Sequence, residues 1–558
     1  MNKKTNEVAD RSWIGDSVLL IGVVLISVIP YIAGLGFYSD DWWSNSLLAQ
    51  NSANGLGAMV RTLFKADPEM LLRPVQAIYL ALGFKAFGLN PVPYQVFDSM
   101  VVGIATVFLY LAVREMQGRR MPALATAVVF GLLPHYSTDR FWVTMHVASL
   151  GFAFACCGVY ALWKSMNGEG GRSKLWLILA LVTMGLSILA YEVTFGVIAG
   201  AVAIAGWRMY KSARASSRSV FSAIGSILCL GAVLLLVVLA KARMQTRVTY
   251  HHHFFSRLWR LLGHGFSQAI QFNLWTYGLH MPVVLVGLYR HSALSGAAVC
   301  TAILVGVLIA AYLWRTLDSS SLPTPAGCLW LVLVGFVVFA LGYGLFLPSI
   351  EMDFSTMGLA NRVAIASAPG AACILVAFAG LLSLVFKSQV ARVRGFSLTI
   401  GAICGLNCLV VSGIAHFWVD GARQQAAVMR SVKDNVPALP HGSVLLLDGF
   451  CRYIGPGIVF EGDDVAGSLQ LAFGDFSLNG DVISPNMHFG DATVETIMYG
   501  QPEATYHYGN TLLVYNVQRK TLSSLPSKDA ADAYLRAANP TGDGGCPPAH
   551  EGDGAKVY

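Results

Sequence analysis

From Ser17 to Gly36 the chain runs for about 20 residues without a charged side chain, the length an α-helix needs to cross a hydrocarbon core of ~30 Å. The run predicts a first transmembrane helix, and its flanks orient it. Lys3, Lys4 and Arg11 precede it, while Asp40 and Asp41 follow it in Phe37-Tyr38-Ser39-Asp40-Asp41-Trp42-Trp43. Cytoplasmic segments are enriched in Lys and Arg, so the N-terminus reads as cytoplasmic and the acidic pair as lying on the outer face. The run lacks a small-residue cleavage site and is long enough to stay as an anchor, which argues against a cleavable signal peptide.

The same pattern recurs. Of the 558 residues, 55% are hydrophobic and only 12% charged, against about 25% charged in a soluble globular chain. The expected class is a polytopic α-helical membrane protein. Further spans are expected at 94–113, 122–133, 146–163, 175–190, 193–207, 221–240, 294–314, 328–347, 363–386 and 396–416, about 11 transmembrane helices with the first. Arg114, Arg119 and Arg120, then Lys164, Arg172 and Lys174, then Arg208, Lys211, Arg214 and Arg218, and finally Lys387, Arg392 and Arg394 mark cytoplasmic turns. Two apolar stretches stay out of the count, because an extra crossing at either would invert the loops downstream. Residues 73–87 read as a helix lying in the interface. Residues 256–290, interrupted by Gln268, Gln271, Asn273 and His280, read as an outer interfacial or re-entrant segment. The net charge of +7 follows from basic cytoplasmic loops and calls for no nucleic-acid partner.

An odd count places residues 417–558 outside, after a membrane module of residues 1–416. That tail is long enough for a small domain. A helical run at 420–435, a buried-looking strand at 443–447, a strand pair around 504–517 and a helix at 529–538 predict a small extracytoplasmic α/β domain. Eight of the ten cysteines fall in apolar segments and read as small packing residues. Cys451 and Cys546 lie in the polar tail, where an oxidising compartment allows one disulfide. No Asn-x-Ser/Thr acceptor with x other than proline occurs, so a bacterial inner membrane is the expected location.

Carboxylates cost several kcal/mol in lipid and tryptophan prefers the headgroup level, so Asp40 and Asp41 beside Trp42 and Trp43 need a reason. One reason is local: Ser39, Asp40 or Asp41 as N-cap of a helix over 42–50. The other is chemical. On the same face, each at or beside a helix end, the sequence collects Arg73, His135, Arg140, His146, Glu192, Arg243, Arg247, Arg257, Arg260 and Arg362. Arginines there run against the orientation bias and suit an anionic headgroup, with a carboxylate at the centre of the site. An arginine near a helix end also snorkels to lipid headgroups, so the sequence does not rank them. His251, His252 and His253 are consecutive and cannot all face one ion without a strained loop, so no metal site is expected there.

The acidic pair just after the first span, Leu72-Arg73-Pro74 near the end of a long first outer loop, the helical pair from Met121 to Trp163 and an outer C-terminal domain resemble the GT-C superfamily of membrane glycosyltransferases. They are especially similar to the branch of protein O-mannosyltransferases and related bacterial enzymes, over roughly the first 200 residues and beyond that by layout. The resemblance implies transfer of a sugar from a polyprenyl-phosphate donor to a hydroxyl of a glycan, lipid or protein acceptor, outside the cytoplasm and with inversion at the anomeric carbon. Mapped onto this chain, Asp40 or Asp41 is the general base, with Asp40 preferred and Asp41 orienting the acceptor or a metal. A divalent metal at the pair stays open, since some members use one and others do not. A partly desolvated carboxylate beside another has a raised pKa, nearer neutral, as a base acting on a hydroxyl needs. Arg243, Arg247, Arg257, Arg260 and Arg362 are the candidates for the donor phosphate, and Arg73, Arg140, His146 and Glu192 for the rest of the substrate. From another class, a transporter or flippase of a lipid-linked anionic substrate fits the hydrophobicity, but such proteins show internal repeats and polar residues at mid-membrane. A non-catalytic scaffold presenting the tail leaves the acidic pair unused.

Overall fold

The computed structural model describes residues 3–167, 170–215, 263–316, 322–344, 355–436, 438–498 and 501–538, with four further residues between 231 and 239. The span expected at 221–240, Arg243, Arg247, Arg257, Arg260, the three consecutive histidines and Cys546 lie outside the described residues, apart from those four positions. In chain order the helices are α1 (Lys3–Val28), α2 (Asp40–Asn51), α3 (Leu56–Ala66), α4 (Glu69–Leu72), α5 (Pro74–Phe87), α6 (Pro91–Gln117), α7 (Arg120–Leu132) and α8 (Thr138–Phe141). They continue as α9 (His146–Asn167), α10 (Gly170–Ala190), α11 (Phe195–Ala215), α12 (Met281–Arg290), α13 (Gly296–Thr316), α14 (Pro325–Tyr343), α15 (Ala368–Ser383) and α16 (Gln389–Asn435).

Among the described residues seven helices are long and apolar enough to cross a membrane, and α1, α7, α12 and α15 carry shorter apolar stretches. Every expected span other than the one at 221–240 falls on a helix. The first ends early: α1 stops at Val28, and a 3-10 turn at Ile32–Gly34 carries the chain to the acidic pair. Residues 73–87 form the 14-residue helix α5, which is not among the candidate spans. The described part of 256–290 is broken: a π-helical turn, Ile270–Trp275, and a reversal precede the 10-residue α12.

Local signals set several of these ends. Asn90 caps α6 by accepting from the Val92 amide at 3.2 Å, Pro91 takes the first helical position, and Gly118 in the left-handed region ends it. Thr324 and Ser388 cap α14 and α16 in the same way, each at 3.1 Å. Helices then pack through small residues: a Cβ on Gly401 of α16 would lie 2.5 Å from the carbonyl oxygen of Gly306 on α13, the close backbone approach expected where lipid gives no hydrophobic drive. At the end of the bundle away from the acidic pair, Asp16 of α1 is fully buried. Its carboxylate accepts from Tyr110 Oη at 2.6 Å, Arg120 Nε at 2.8 Å and Nη2 at 2.6 Å, and Tyr312 Oη at 2.9 Å. One acid thereby ties α1, α6, α7 and α13 together.

The expected boundary at residue 416 is crossed by α16, which runs for 47 residues without a break. No proline or helix-ending glycine motif interrupts 410–435, and Val428 and Val432 on its last turns pack with Val436, Leu445, Leu447, Val465 and Leu469 in the core of the C-terminal domain. The last long apolar helix and the C-terminal domain therefore share one element. The domain holds β1 (Val444–Asp448), a hairpin of β2 (Tyr453–Ile454) and β3 (Gly457–Ile458), helix α17 (Gly462–Phe473), then β4 (Asn479–Val482), β5 (Met487–Phe489), β6 (Thr493–Met498), β7 (Gln501–His507), β8 (Gly509–Asn516), β9 (Thr521–Leu525) and α18 (Lys528–Ala538). The main sheet has the order β4-β1-β8-β9, with β1 parallel to both neighbours and Leu446 opposite Asp481 and Val514. The expected strand pair around 504–517 is two strands of different sheets: β7 joins β5 and β6, and β8 joins β1. Cys451 is disulfide-bonded, and the other described cysteines are free thiols.

Candidate functional site

The acidic pair opens α2. The residue before it, Ser39, has φ 48°, a left-handed conformation costly for a side chain with a Cβ, and its hydroxyl makes no capping bond. That turn puts Asp40 on the surface and Asp41 in the interior, 1% exposed. Asp41 Oδ2 accepts from the Tyr38 amide at 2.9 Å and the Val143 amide at 3.3 Å, while Oδ1 accepts from the Thr144 amide at 2.7 Å and Thr144 Oγ1 at 2.6 Å. The local helix-end role is present in the bond to Tyr38, but three of the four bonds reach the α8–α9 junction. Burial pushes the Asp41 carboxyl up to about 7, against Thr144 and Tyr38, which hold the charged form.

A carboxylate has about four acceptor positions, and all four of Asp41 are taken by protein donors. The pair does not fit a shared divalent cation, and no cluster of three metal-ligating side chains occurs among the described residues.

The same junction collects the basic groups. Arg362, on a 3-10 turn at Leu359–Val363, lies over the Trp142 ring at 5.6 Å, next in sequence to the Val143 and Thr144 amides that Asp41 binds. Its neighbour Asn361 is fully buried and saturated. Its amide nitrogen donates to the carbonyls of His135 at 2.8 Å and Thr356 at 2.9 Å, and its oxygen accepts from the Thr138 amide at 3.3 Å and Ser137 Oγ at 3.4 Å. Arg73, between α4 and Pro74 of α5, pairs with Glu192: Nη2 to Oε1 at 2.5 Å and Nε to Oε2 at 3.2 Å. Its guanidinium also covers the Tyr191 ring at 4.7 Å. Both Arg73 and Arg362 act electrostatically on Tyr191, which places the two guanidiniums around one residue. Asp139 is buried beside them, and burial first, then the charge of Asp98, raises its carboxyl well above the usual range.

His146 begins α9 with Nδ1 3.4 Å from Tyr79 Oη, and Tyr79 feels the charge of Asp41. Asp41, Glu192, Arg73, Arg362 and His146 thus gather around the Tyr191 and Trp142–Thr144 segments. Arg140 does not join them. Its Nη2 donates to the Gly131 carbonyl and to Tyr136 Oη, each at 2.7 Å, and Asp98 of α6 supplies the nearby negative charge inside the bundle. These partners lie inside the bundle, apart from the group around Tyr191.

Thr144, Asn361 and Tyr191 carry the site and were not singled out from the sequence; nothing in the spacing of a threonine, an asparagine or a tyrosine between apolar segments marks it. Asp98 and Asp16 carry a sequence signal, an acid inside or beside an apolar run.

No protein-family model matches the chain, and no curated protein does. Solved structures that are similar to it include two of ArnT. One is the crystal structure of ArnT from Cupriavidus metallidurans bound to undecaprenyl phosphate, at 11% identity over 84% of this chain and 86% of that one, with a TM-score of 0.34. The other is ArnT from the same organism in the apo state, at 10% identity over 85% of this chain and 90% of that one, with a TM-score of 0.33.

Proposed function

We propose that the protein is an integral membrane glycosyltransferase that moves a sugar from a polyprenyl-phosphate donor to an acceptor hydroxyl at the outer face, with inversion, in a bacterial inner membrane. The observation that carries the reading is the division of labour in the acidic pair. Asp40 is exposed at the start of α2, while Asp41 spends its carboxylate on fixing the turn. Asp40 takes the proton as the acceptor oxygen forms its bond to the anomeric carbon, and the bond from that carbon to the phosphate oxygen breaks. The leaving phosphate gains charge, and in this reading Arg362, backed by Arg73, receives it. Glu192 holds Arg73 bidentately and keeps its fork oriented in the absence of donor. No step runs through a metal ion.

The test is turnover of a panel of polyprenyl-phosphate sugars by the protein in lipid, comparing wild type with Asp40→Asn. Consumption of one donor, lost in an Asp40→Asn protein that melts like wild type, supports the reading. Donor consumption unchanged in that variant removes Asp40 as base. No consumption of any donor by wild type leaves the transporter reading, for which Asp98 within α6 is the favouring observation.

A further inference from the structure

Helix α17 of the C-terminal domain touches α2 backbone to backbone. A Cβ on Gly467 would lie 2.3 Å from the Trp42 carbonyl oxygen and 2.7 Å from the Trp43 amide nitrogen, so only glycine fits against the peptide that follows the acidic pair. One turn further along both helices a second contact forms. Gln470 Oε1 accepts from Ser46 Oγ, and Gln470 Nε2 donates to the Leu478 carbonyl at 2.8 Å, which anchors the side chain to the start of β4. Ser46 is buried, a costly place for a hydroxyl without this partner.

From the other side, three of the four bonds of Asp41 hold the first turn of α2 on Val143 and Thr144. The long helix α16 adds a third grip, as Tyr38 Oη donates to the Trp418 carbonyl at 2.8 Å. Asp40 itself faces solvent. The backbone under it is held at three places, and one of them belongs to the C-terminal domain.

We propose that Gly467 and Gln470 are positioning residues for Asp40: through α17 the C-terminal domain fixes the general base and so sets the turnover of the membrane-embedded site. This rests on the function proposed above. Opening the Gly467 contact from 2.3 Å to the 3.4 Å of ordinary van der Waals contact displaces α2 by about 1 Å, and a misplacement of that size costs about 10²-fold in rate. The displacement falls on Asp40 and not on Arg73 or Arg362, so it lowers kcat and leaves donor binding in place.

The experiment compares wild type, Gly467→Ala, Gln470→Ala and Gln470→Glu in the full chain in lipid, reading kcat, donor KM and amide hydrogen exchange. Gly467→Ala is expected to lower kcat about 10²-fold with donor KM within about twofold, and to speed exchange along 40–46 while β1 and β8 stay protected. Gln470→Ala is expected to lower kcat about tenfold, the equivalent of one buried hydrogen bond, and Gln470→Glu, which keeps an acceptor for Ser46 but loses the donor to the Leu478 carbonyl, to recover part of it. Unchanged kcat and unchanged exchange in Gly467→Ala overturn the proposal, because the domain then yields instead of α2. If Gly467→Ala unfolds the domain, Gln470→Ala decides: wild-type kcat overturns it. If wild type consumes no donor, the function proposed above falls, and exchange along 40–46 still decides whether α17 braces α2.

Discussion

Replacing Asp41 by Asn separates the two acids. The carboxylate accepts four hydrogen bonds in a site 1% exposed. An Asn amide keeps one oxygen, which serves two of those donors, and turns an NH2 toward the other two. Each buried donor left without an acceptor costs about 1–3 kcal/mol, so Asp41→Asn is expected to destabilise the protein by roughly 2–6 kcal/mol at pH 8, where the wild-type carboxyl is charged. Against a typical total of about 5–15 kcal/mol this is a large loss. Asp40→Asn, at an exposed position, is expected to stay within about 0.5 kcal/mol of wild type and to lose turnover. Thermal unfolding in detergent, paired with hydrogen exchange at the Val143 and Thr144 amides, gives the first quantity and its location. An Asp41→Asn protein as stable as wild type, with those two amides still protected, refutes the clamp. An Asp40→Asn protein that unfolds as readily as Asp41→Asn refutes the division of roles.

Asp41 also predicts a pH dependence. Its folded pKa of about 7 lies above the unfolded value, so the folded state holds a proton that the unfolded state releases. That contribution is fully present below about pH 4 and is lost as pH rises through about 7, on the order of 4 kcal/mol in all. Unfolding measured from pH 4 to 8 checks the slope, and Asp41→Asn is expected to remove it. Asn361→Ala strips the partner from the His135 carbonyl and the Thr138 amide, while the Thr356 carbonyl keeps the Tyr277 hydroxyl, at a cost of about 2 kcal/mol or more. It is expected to weaken donor binding through Arg362 as well, and a destabilised variant with wild-type donor KM contradicts that link. Asp16→Ala leaves Arg120 and the hydroxyls of Tyr110 and Tyr312 without their shared acceptor. A loss of about 3–5 kcal/mol is expected, read by thermal unfolding, with turnover per folded molecule unchanged.

The apolar runs were legible because length and lack of charge are local properties, and α6, α9, α10, α11, α13 and α14 fall where the runs do. The helix ends were less so. Asp16 sits one residue before the uncharged run, and sequence alone cannot tell a cytoplasmic flank from a buried acid that three other helices satisfy. The boundary expected at 416 falls inside α16, because the polar residues after it look like a new element in sequence, whereas α16 carries the same helix onward and changes only what it packs against. Helix α17 was missed altogether. No element was expected over 462–473, yet Glu461 and Asp464 form a capping box that starts the helix, and Gly467 is the point of contact with α2. A glycine in a helix costs about 1 kcal/mol in propensity, and only the partner helix explains it.

Of the basic candidates, the structure separates by partner what the sequence grouped by position. Arg140 and Arg73 both lie near helix ends, but Arg140 donates to Gly131 at the end of α7 and to Tyr136, and Arg73 to the Glu192 carboxylate at the α10–α11 junction. The acidic pair divides for a geometric reason. Successive residues of a helix point about 100° apart, and neighbours at i and i+1 do not face each other. Once Ser39 starts the helix at Asp40, the two carboxylates cannot converge on one proton or one cation, and the tighter the grip on Asp41, the more firmly Asp40 is turned outward. An Asp-Asp dipeptide at such a position therefore codes for one carboxylate that reacts and one that aims it. Inserting a single alanine between Asp41 and Trp42 is expected to leave the Asp41 clamp in place while rotating Trp42 and Ser46 off α17, so turnover falls although both carboxylates remain; retained turnover would show that α2 needs no second support.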